Sequence, residues 1–390
     1  MMAITLFYSN ILTPTESISP GAVVIADDGK IAYVGAMENA PEATGTRFDI
    51  RNLTVVPGFI DIHVHGGMGI TFGGSGNAAE ELRAYSEWVV STGVTGYLCS
   101  LTAPNADTQV KLVGQYVAAM QAGVPGAEPL GIHLEGPFIN KEKKGAFNPD
   151  WLRMPSLEET EAVLAAGQGW IRQITMAPEL PDAGRVASKF REAGVVVSMG
   201  HTNTNCETAS AALRGAYTHV THTFNAQSGF HHRRPGAFGA ILASDRITAE
   251  LIADNVHAHP AAMKILVRCL GTDRIALITD AMSGAGLQDG VYDLVGQVVT
   301  VKDGCATLAD GTIAGSTVLM NQCVRNIHQL VGVPLQEAVK MASLVPARAM
   351  GFANRLGSFS PGKDANLTAL DDDGNVRLTL VRGKVVYASL

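Results

Sequence analysis

Six histidine, aspartate and glutamate side chains have types and positions that suit a metal site. Each lies at the end of an apolar run of the kind that forms a buried strand: His63, His65, Glu135, His201, His222 and Asp280. His63 and His65 are two residues apart, so on a strand both point to the same side and can bind one ion. Because imidazole and carboxylate donors occur without a thiolate, Zn²⁺ is the first choice, with Fe²⁺, Co²⁺ or Mn²⁺ as alternatives.

Hydrolysis is the chemistry that these donors favour. One or two divalent ions would generate hydroxide near neutral pH and polarise a carbonyl group. Asp280 could accept the proton of the attacking water and return it to a leaving amine, acting first as general base and then as general acid. A single histidine at a strand end is more often structural, but six such donors are hard to explain as core residues because unpaired buried charge is costly. The residues therefore predict metal-assisted hydrolysis of an amide or related bond.

The elements that must position these donors alternate between apolar β-type runs and segments with helical spacing. The predicted strands are 55–64, 96–101, 130–134, 171–177, 195–200, 219–223, 248–253 and 275–279. The predicted helices between them are 78–90, 108–120, 158–166, 182–193, 206–214 and 260–270, and a further helix is predicted at 321–330. Eight such units without a dinucleotide-type glycine motif predict an α/β fold of the (β/α)₈ TIM-barrel type rather than a doubly wound sheet. A barrel of this type has its site at the carboxyl ends of the strands, where the six donors occur.

Both ends of the chain have a different pattern. Short β-branched runs joined by Asp-Gly or Arg-Gly turns occur at 21–25, 31–34, 365–370, 376–381 and 384–387. Such runs and turns are typical of hairpins. We therefore expect a small β-sandwich domain built from both termini, residues 1–55 and 359–390, and a barrel at 56–358.

Composition excludes several classes of partner. The chain of 390 residues has 29 Lys and Arg against 36 Asp and Glu, a net charge of −7, and no basic stripe of the kind that nucleic acid requires. Its five cysteines form no Cys-x-x-Cys pair, which favours reduced thiols in the cytoplasm. No stretch approaches the roughly 18 apolar residues of a membrane helix. A cytoplasmic enzyme without nucleic-acid or membrane partners is expected.

Several motifs in order resemble a known family. They cover residues 57–65, 133–138, 199–202, 221–226, 233–236, 253–257 and 312–316, together with the Asp280 strand end. This set is similar to the N-acetylglucosamine-6-phosphate deacetylases of the amidohydrolase superfamily. The resemblance implies an acetamide substrate on a phosphorylated amino sugar, with acetate and glucosamine 6-phosphate as products of amino-sugar catabolism and cell-wall sugar recycling. It also implies a homodimer.

The resemblance also implies roles for individual residues. Glu135, His201 and His222 match the principal metal ligands and Asp280 the catalytic acid/base; the retained His63 and His65 favour two ions bridged by Glu135. The implied substrate contacts are Ala146, Asn225, Ala226, Arg233, Asp254, His257, Ile313, Ala314 and Gly315. Arg233 matches a phosphate-binding position, with Arg234 as a competitor, and the resemblance leaves open whether it serves this chain's own site or the partner's. Phe147 replaces a histidine that assists at the acetyl carbonyl in some members.

Alternatives stay open at this point. The galactosamine epimer differs by one inverted hydroxyl group, which leaves no mark on a single sequence. Another amidohydrolase, acting on a cyclic amide or an unphosphorylated amino sugar, would share the same donors. A non-catalytic barrel is expected to show gaps among the donors, and this chain has none.

Overall fold

Strands and helices alternate through most of the polypeptide, and the computed structural model describes residues 5–42 and 45–390. The strands are β1 (Thr5–Leu12), β2 (Ser17–Ile25), β3 (Ile31–Ala36), β4 (Arg47–Pro57), β5 (Phe59–Val64), β6 (Gly66–Gly67), β7 (Ile70–Thr71), β8 (Val94–Leu101), β9 (Glu128–Glu135), β10 (Ile171–Met176), β11 (Val196–Met199), β12 (Tyr217–Val220), β13 (Thr248–Ile252), β14 (Ile275–Ile278), β15 (Gly290–Leu294), β16 (Gln297–Lys302), β17 (Cys305–Thr307), β18 (Leu367–Leu370), β19 (Val376–Val381) and β20 (Lys384–Ala388).

The helices lie mainly between the parallel strands. They are α1 (Ala78–Val89), α2 (Ala106–Ala122), α3 (Leu157–Gly167), α4 (Ala183–Glu192), α5 (Cys206–Arg214), α6 (Gly236–Leu242), α7 (Pro260–Leu270), α8 (Met320–Val331), α9 (Leu335–Ala342) and α10 (Leu344–Ala349). Single-turn 3₁₀ helices occur at Met37–Asn39, Val90–Thr92, Lys141–Lys143, Pro149–Trp151 and Thr272–Arg274. In the part of the chain that the structure describes, no helix combines the length and the apolar character that crossing a membrane requires.

Eight parallel strands form the barrel, in the order β5, β8, β9, β10, β11, β12, β13, β14. Each corresponds to one of the predicted strands, so the (β/α)₈ prediction is confirmed. Between the first and last strands the seam is closed just beyond the strand ends. There the Asp280 amide donates to the His63 carbonyl at 2.9 Å, and the His65 amide donates to the Ala281 carbonyl at 2.8 Å. Candidate site residues therefore complete the barrel wall.

The interior of the barrel below its mouth is unusually polar. Buried polar side chains from successive strands include Ser100, His133, Gln173, Thr175, Ser198, His219, Thr221 and Glu250. His133 lies between the Ser100 and Thr175 hydroxyls, with N···O distances of 2.9 and 2.8 Å. The Thr175 and Thr221 hydroxyls are 2.7 Å apart. Buried polar groups are stable when they are hydrogen-bonded to one another, and this layer supports the site from beneath.

The two termini form a second sheet of seven strands, in the order β20, β19, β18, β4, β1, β2, β3. The sequence predicts a β-sandwich here. The structure differs from that prediction in one respect, because hydrogen bonds join the strands in one continuous mixed sheet. This sheet curls so that its two ends meet. The Ala365 amide donates to the Gly29 carbonyl at 2.9 Å, and a Cβ placed on Gly29 would lie 2.3 Å from the Arg382 carbonyl oxygen. The domain boundaries at 55/56 and 358/359 stay a prediction.

The sequence analysis missed several elements. Helices α6, α9 and α10 were not predicted, and neither was the three-stranded sheet β15–β16–β17. This sheet inserts after β14 and has its own small apolar core, which includes Met282, Val299 and Ala314. It lies beside the barrel mouth, so it contributes to the site described next.

Candidate active site and metal centre

The six predicted donors converge at the mouth of the barrel in two groups. His63, His65 and Asp280 form one group, and Glu135, His201 and His222 form the other; within each group the ligand atoms lie within 4.8 Å of one another. All six residues are buried. The structure therefore brings together every metal-site residue that the sequence suggested.

Glu135 lies between the two groups. Its Oε2 atom is 3.0 Å from His65 Nε2, in the first group. Its Oε1 atom is 3.1 Å from His201 Nε2 and 3.2 Å from His222 Nε2, in the second group. One carboxylate thus faces imidazoles of both groups, with Oε2 nearest His65 and Oε1 nearest His201 and His222, an arrangement that suits a bridging ligand.

Three of the donors have backbones in the left-handed region. The φ angles are +47° for His201, +25° for His222 and +50° for Asp280. Each residue lies two positions beyond the last residue of a parallel strand, and its side chain lines the base of the cavity at the barrel mouth. Such conformations cost a non-glycine residue on the order of 1–3 kcal/mol and occur where the surrounding structure enforces them, often at functional sites.

The hydrogen bonds of the imidazoles test whether a cation fits this site. His201 Nδ1 donates to the Lys143 carbonyl at 2.7 Å, which leaves its Nε2 lone pair facing His222 Nε2 at 3.0 Å. His63 Nε2 is buried without a hydrogen-bond partner among the described residues, 3.4 Å from Asp280 Oδ1 and 3.5 Å from Glu135 Oε1. Unprotonated nitrogens that face one another and carboxylates need a cation between them. The donor set fits divalent metal ions such as Zn²⁺.

The electrostatics of the site also favour positive charge. Burial alone would lower the pKa of His65, but hydrogen bonds and charge from Asp280 and Glu135 raise it to about 9. Burial would also lower the pKa of His63, and the carboxylates of Asp280, Glu135 and Glu250 instead hold it well above its ordinary value. In turn, His63 and its neighbours keep the pKa of Glu135 well below the usual range despite burial. The mouth therefore attracts cations, either protons or metal ions.

A cavity of about 370 Å³ opens above the donors. One part of its wall is apolar and is formed by Ala146, Phe147, Trp151, Leu294, Val295 and Ile313. Another part presents Asn225, Ala226 and His257, while His65, Glu135, His201, His222 and Asp280 line its base. This volume accommodates a small polar molecule with its reacting group at the metal donors.

The substrate contacts expected from the resemblance divide into two sets. The cavity wall contains Ala146, Asn225, Ala226, His257, Ile313 and Gly315. The other three lie elsewhere: Ala314 is fully buried, and its amide donates to the Ala306 carbonyl at 3.0 Å. Asp254 accepts from His257 Nδ1 at 2.6 Å and so holds a wall residue from behind.

Arg233 lies in an exposed loop, outside the wall of this chain's own cavity. Its guanidinium is 2.7 Å from His232 Nε2. Phe147 does reach the cavity, and its ring packs edge-on against His201 with 5.1 Å between centroids. An apolar ring therefore lines the cavity beside His201.

The sequence did not predict that Glu250 and the inserted sheet contribute to the site. Leu294, Val295 and Gln297, from and between β15 and β16, line the cavity. Glu250 is fully buried in β13, and its Oε2 atom is 3.0 Å from His63 Nδ1. A charged residue at an inward position of an otherwise apolar strand was the available signal for Glu250.

Comparison with known proteins assigns this chain to a family. The model of the amidohydrolase family matches residues 54–386. The chain belongs to the amidohydrolase family. Amidohydrolases are metal-dependent, and the two donor groups are the candidate metal sites of this one.

Several relatives match this amidohydrolase over most of its length. The N-acetylglucosamine-6-phosphate deacetylase of Bacillus subtilis is 36% identical over 97% of this chain and 96% of its own. The N-acetylgalactosamine-6-phosphate deacetylase of Escherichia coli O157:H7 is 37% identical over 84% of this chain and 86% of its own. A mutant N-acetyl-D-glucosamine-6-phosphate deacetylase from Mycobacterium smegmatis, solved with N-acetyl-D-glucosamine-6-phosphate, superimposes with a TM-score of 0.91, 34% identity, and coverage of 99% and 100%.

The Asp254–His257 pair yields a prediction about pH. Burial alone would lower the pKa of His257, but the adjacent Asp254 carboxylate raises it above its ordinary value of 6.5. We expect Asp254→Asn to lower this pKa, as measured by NMR titration of the His257 ring. Because the folded-state pKa is raised, the pair stabilises the fold at pH values below 6.5 and stops doing so as pH rises through the folded-state pKa.

The urea midpoints should therefore differ most between Asp254→Asn and wild type at acid pH. Asp289→Asn is the matched control, because its exposed carboxylate also accepts from backbone amides, at 2.6 Å from Asp303 N, without contacting a histidine. An unchanged His257 titration in Asp254→Asn would show that the carboxylate does not control this ring.

Proposed function

We propose that this amidohydrolase hydrolyses the acetamide of N-acetyl-D-glucosamine 6-phosphate, releasing acetate and glucosamine 6-phosphate in amino-sugar catabolism and cell-wall sugar recycling. The observation that carries the proposal is a complete donor set around Glu135 at the base of a sugar-sized cavity. It occurs in a chain that matches the Bacillus subtilis deacetylase over 97% of its length. We also propose a cytoplasmic homodimer, divided into the β domain and barrel domain expected from the sequence.

The metal centre of this proposal has two ions, with zinc favoured by the donor types. His63, His65 and Asp280 would hold one ion, His201 and His222 the other, and Glu135 would contribute an oxygen to each. When bound, such ions supply a hydroxide nucleophile and polarise the acetyl carbonyl. Because Phe147 offers no hydrogen bond to that carbonyl, its polarisation falls to the metal centre.

Asp280 is the proposed acid/base. Its Oδ1 atom lies 3.4 Å from the Nε2 atoms of both His63 and His65, and its side chain reaches the cavity. The carbon–nitrogen bond of the acetamide breaks while a carbon–oxygen bond to the water oxygen forms. Asp280 accepts the proton of that water and donates it to the departing amine nitrogen.

The sugar is proposed to lie between the polar wall at Asn225, Ala226 and His257 and the loop at Ile313 and Gly315. Arg233 is the proposed phosphate ligand, since a guanidinium donates two charge-assisted hydrogen bonds to a phosphate. Its exposed position, away from this chain's own cavity, supports a role in the site of the partner subunit.

Substrate turnover tests this function. We expect acetate release from N-acetylglucosamine 6-phosphate, with a much lower kcat/KM for the unphosphorylated sugar. Arg233→Ala should lower kcat/KM for the phosphorylated substrate by about 10- to 100-fold, the equivalent of a lost charge-assisted hydrogen bond of about 1.5–3 kcal/mol. Arg234→Ala is the matched control and should retain most of the activity.

The galactosamine epimer is the second candidate substrate, because the Escherichia coli relative is 37% identical. A higher kcat/KM for N-acetylgalactosamine 6-phosphate would reverse the assignment. Equal rates with and without the 6-phosphate would reject the proposed phosphate contact.

The acid/base role predicts the effect of Asp280→Asn. An asparagine at this position cannot carry the proton, so kcat should fall by about 10²- to 10⁴-fold. Metal content is measured alongside, because Asp280 is also a proposed ligand, and retained metal with lost turnover isolates the proton-transfer role. Near-normal kcat in this variant would contradict the assignment. Asp289→Asn controls for the substitution itself, because Asp289 is an exposed aspartate next to the inserted sheet.

A further inference from the structure

Glu250 is a buried carboxylate to which neither the sequence motifs nor the proposed reaction gives a role. It lies on β13 with its side chain inside the barrel and has no solvent exposure. Its side chain contacts His63, Gln173, His219 and the backbone amide of His222. A carboxylate in such a place is costly unless its oxygens are well paired, so these contacts decide what it does.

The contact with His63 determines how that imidazole is used. Glu250 Oε2 is 3.0 Å from His63 Nδ1, so Nδ1 carries the proton and donates it to the carboxylate. In the neutral imidazole that binds a metal, the other nitrogen, Nε2, then carries the lone pair, and it faces Asp280 and Glu135. A carboxylate behind a metal-binding histidine commonly selects the tautomer and orients the ring in this way.

The same oxygen also contacts the second donor group. The His222 amide donates to Glu250 Oε2 at 3.1 Å, and the Thr223 amide donates to the Glu250 carbonyl at 2.9 Å. These bonds hold His222 at a φ angle of +25°, which is unfavourable for a non-glycine residue. In that conformation its Nε2 atom reaches to 3.2 Å from Glu135.

Glu250 is itself held in place from the other side. Gln173 Nε2 donates to its Oε1 atom at 2.6 Å, and His219 Nε2 is 3.3 Å from the same oxygen. The carboxylate therefore has one oxygen anchored in the polar interior and one shared by the two donor groups.

We propose that Glu250 is a positioning residue of the metal centre, whose single oxygen sets the His63 tautomer and the His222 backbone together. The inference rests on the metal-dependent function proposed above. Glu250 acts through hydrogen bonds of fixed length, so the length of the side chain at this position matters more than its charge.

Two conservative variants separate the effect of side-chain length from the effect of charge. Glu250→Gln keeps the length of the side chain, and its carbonyl oxygen can still accept from His63 and His222. Gln173 Oε1 has no hydrogen-bond partner among the residues that the structure describes, so that amide can turn to accept from the new amide group. Glu250→Asp keeps the charge but is one methylene shorter, so it cannot span from Gln173 to His63. Ser198→Ala is the matched control, because it removes a buried hydroxyl from the same layer whose hydrogen bond is to a neighbouring threonine rather than to Glu250 or a donor.

Zn²⁺ affinity in chelator-buffered titrations and the visible absorption of the Co²⁺-loaded protein are the measurements. We expect Glu250→Asp to weaken binding of at least one ion by about 10- to 100-fold and to alter the Co²⁺ spectrum. Glu250→Gln should lose less than about tenfold and keep the wild-type spectrum, as should Ser198→Ala. Circular dichroism confirms that each variant is folded.

Three outcomes would overturn the proposal. They are wild-type affinity and spectrum in Glu250→Asp, a greater loss in Glu250→Gln than in Glu250→Asp, and a loss in Ser198→Ala as large as in Glu250→Asp. Because all three are read from metal binding, they do not depend on which sugar the enzyme hydrolyses. A wild-type protein that binds metal without releasing acetate would contradict the proposed function and leave this comparison valid.

Discussion

The compensation of buried charge around Glu135 is the constraint on which the rest of this site depends. One carboxylate faces imidazoles from both donor groups at 3.0 to 3.2 Å, and all of these side chains are buried at the base of the cavity. Burying such groups without partners would cost several kcal/mol for each ion. The cluster is stable only if protons or metal ions supply positive charge. Imidazole nitrogens that face one another and the carboxylates favour metal ions over protons.

The barrel is built to hold that cluster. Its seam closes through the backbones of His63, His65 and Asp280, so the donors are part of the wall and cannot move independently of it. Three donors accept left-handed backbones that aim their side chains inward. Beneath them, the hydrogen-bonded layer that includes His133, Thr175 and Glu250 replaces the apolar filling common in barrels of this type. The same residues thus determine both the stability of the fold and the geometry of the site.

Sequence alone predicted the barrel and all six donors, because apolar runs mark buried strands and the donors follow them directly. It could not predict the use of Glu250, whose partners come from three other strands and depend on the register between them. The β15–β17 sheet was missed although Asp303-Gly304 joins β16 to β17 with the same Asp-Gly signal that marks the hairpins of the termini. Asp254 and Ala314 lie in motifs shared with relatives, yet their side chains face away from the cavity, which only the local backbone decides.

The central claim is that two ions, bridged by Glu135, form the working centre. The most direct test adds a divalent metal stepwise to the metal-free protein and follows acetate release from N-acetylglucosamine 6-phosphate at each step. The account predicts that activity rises until two equivalents of metal are bound per chain. Full activity at one equivalent, with no further change at the second, would contradict it.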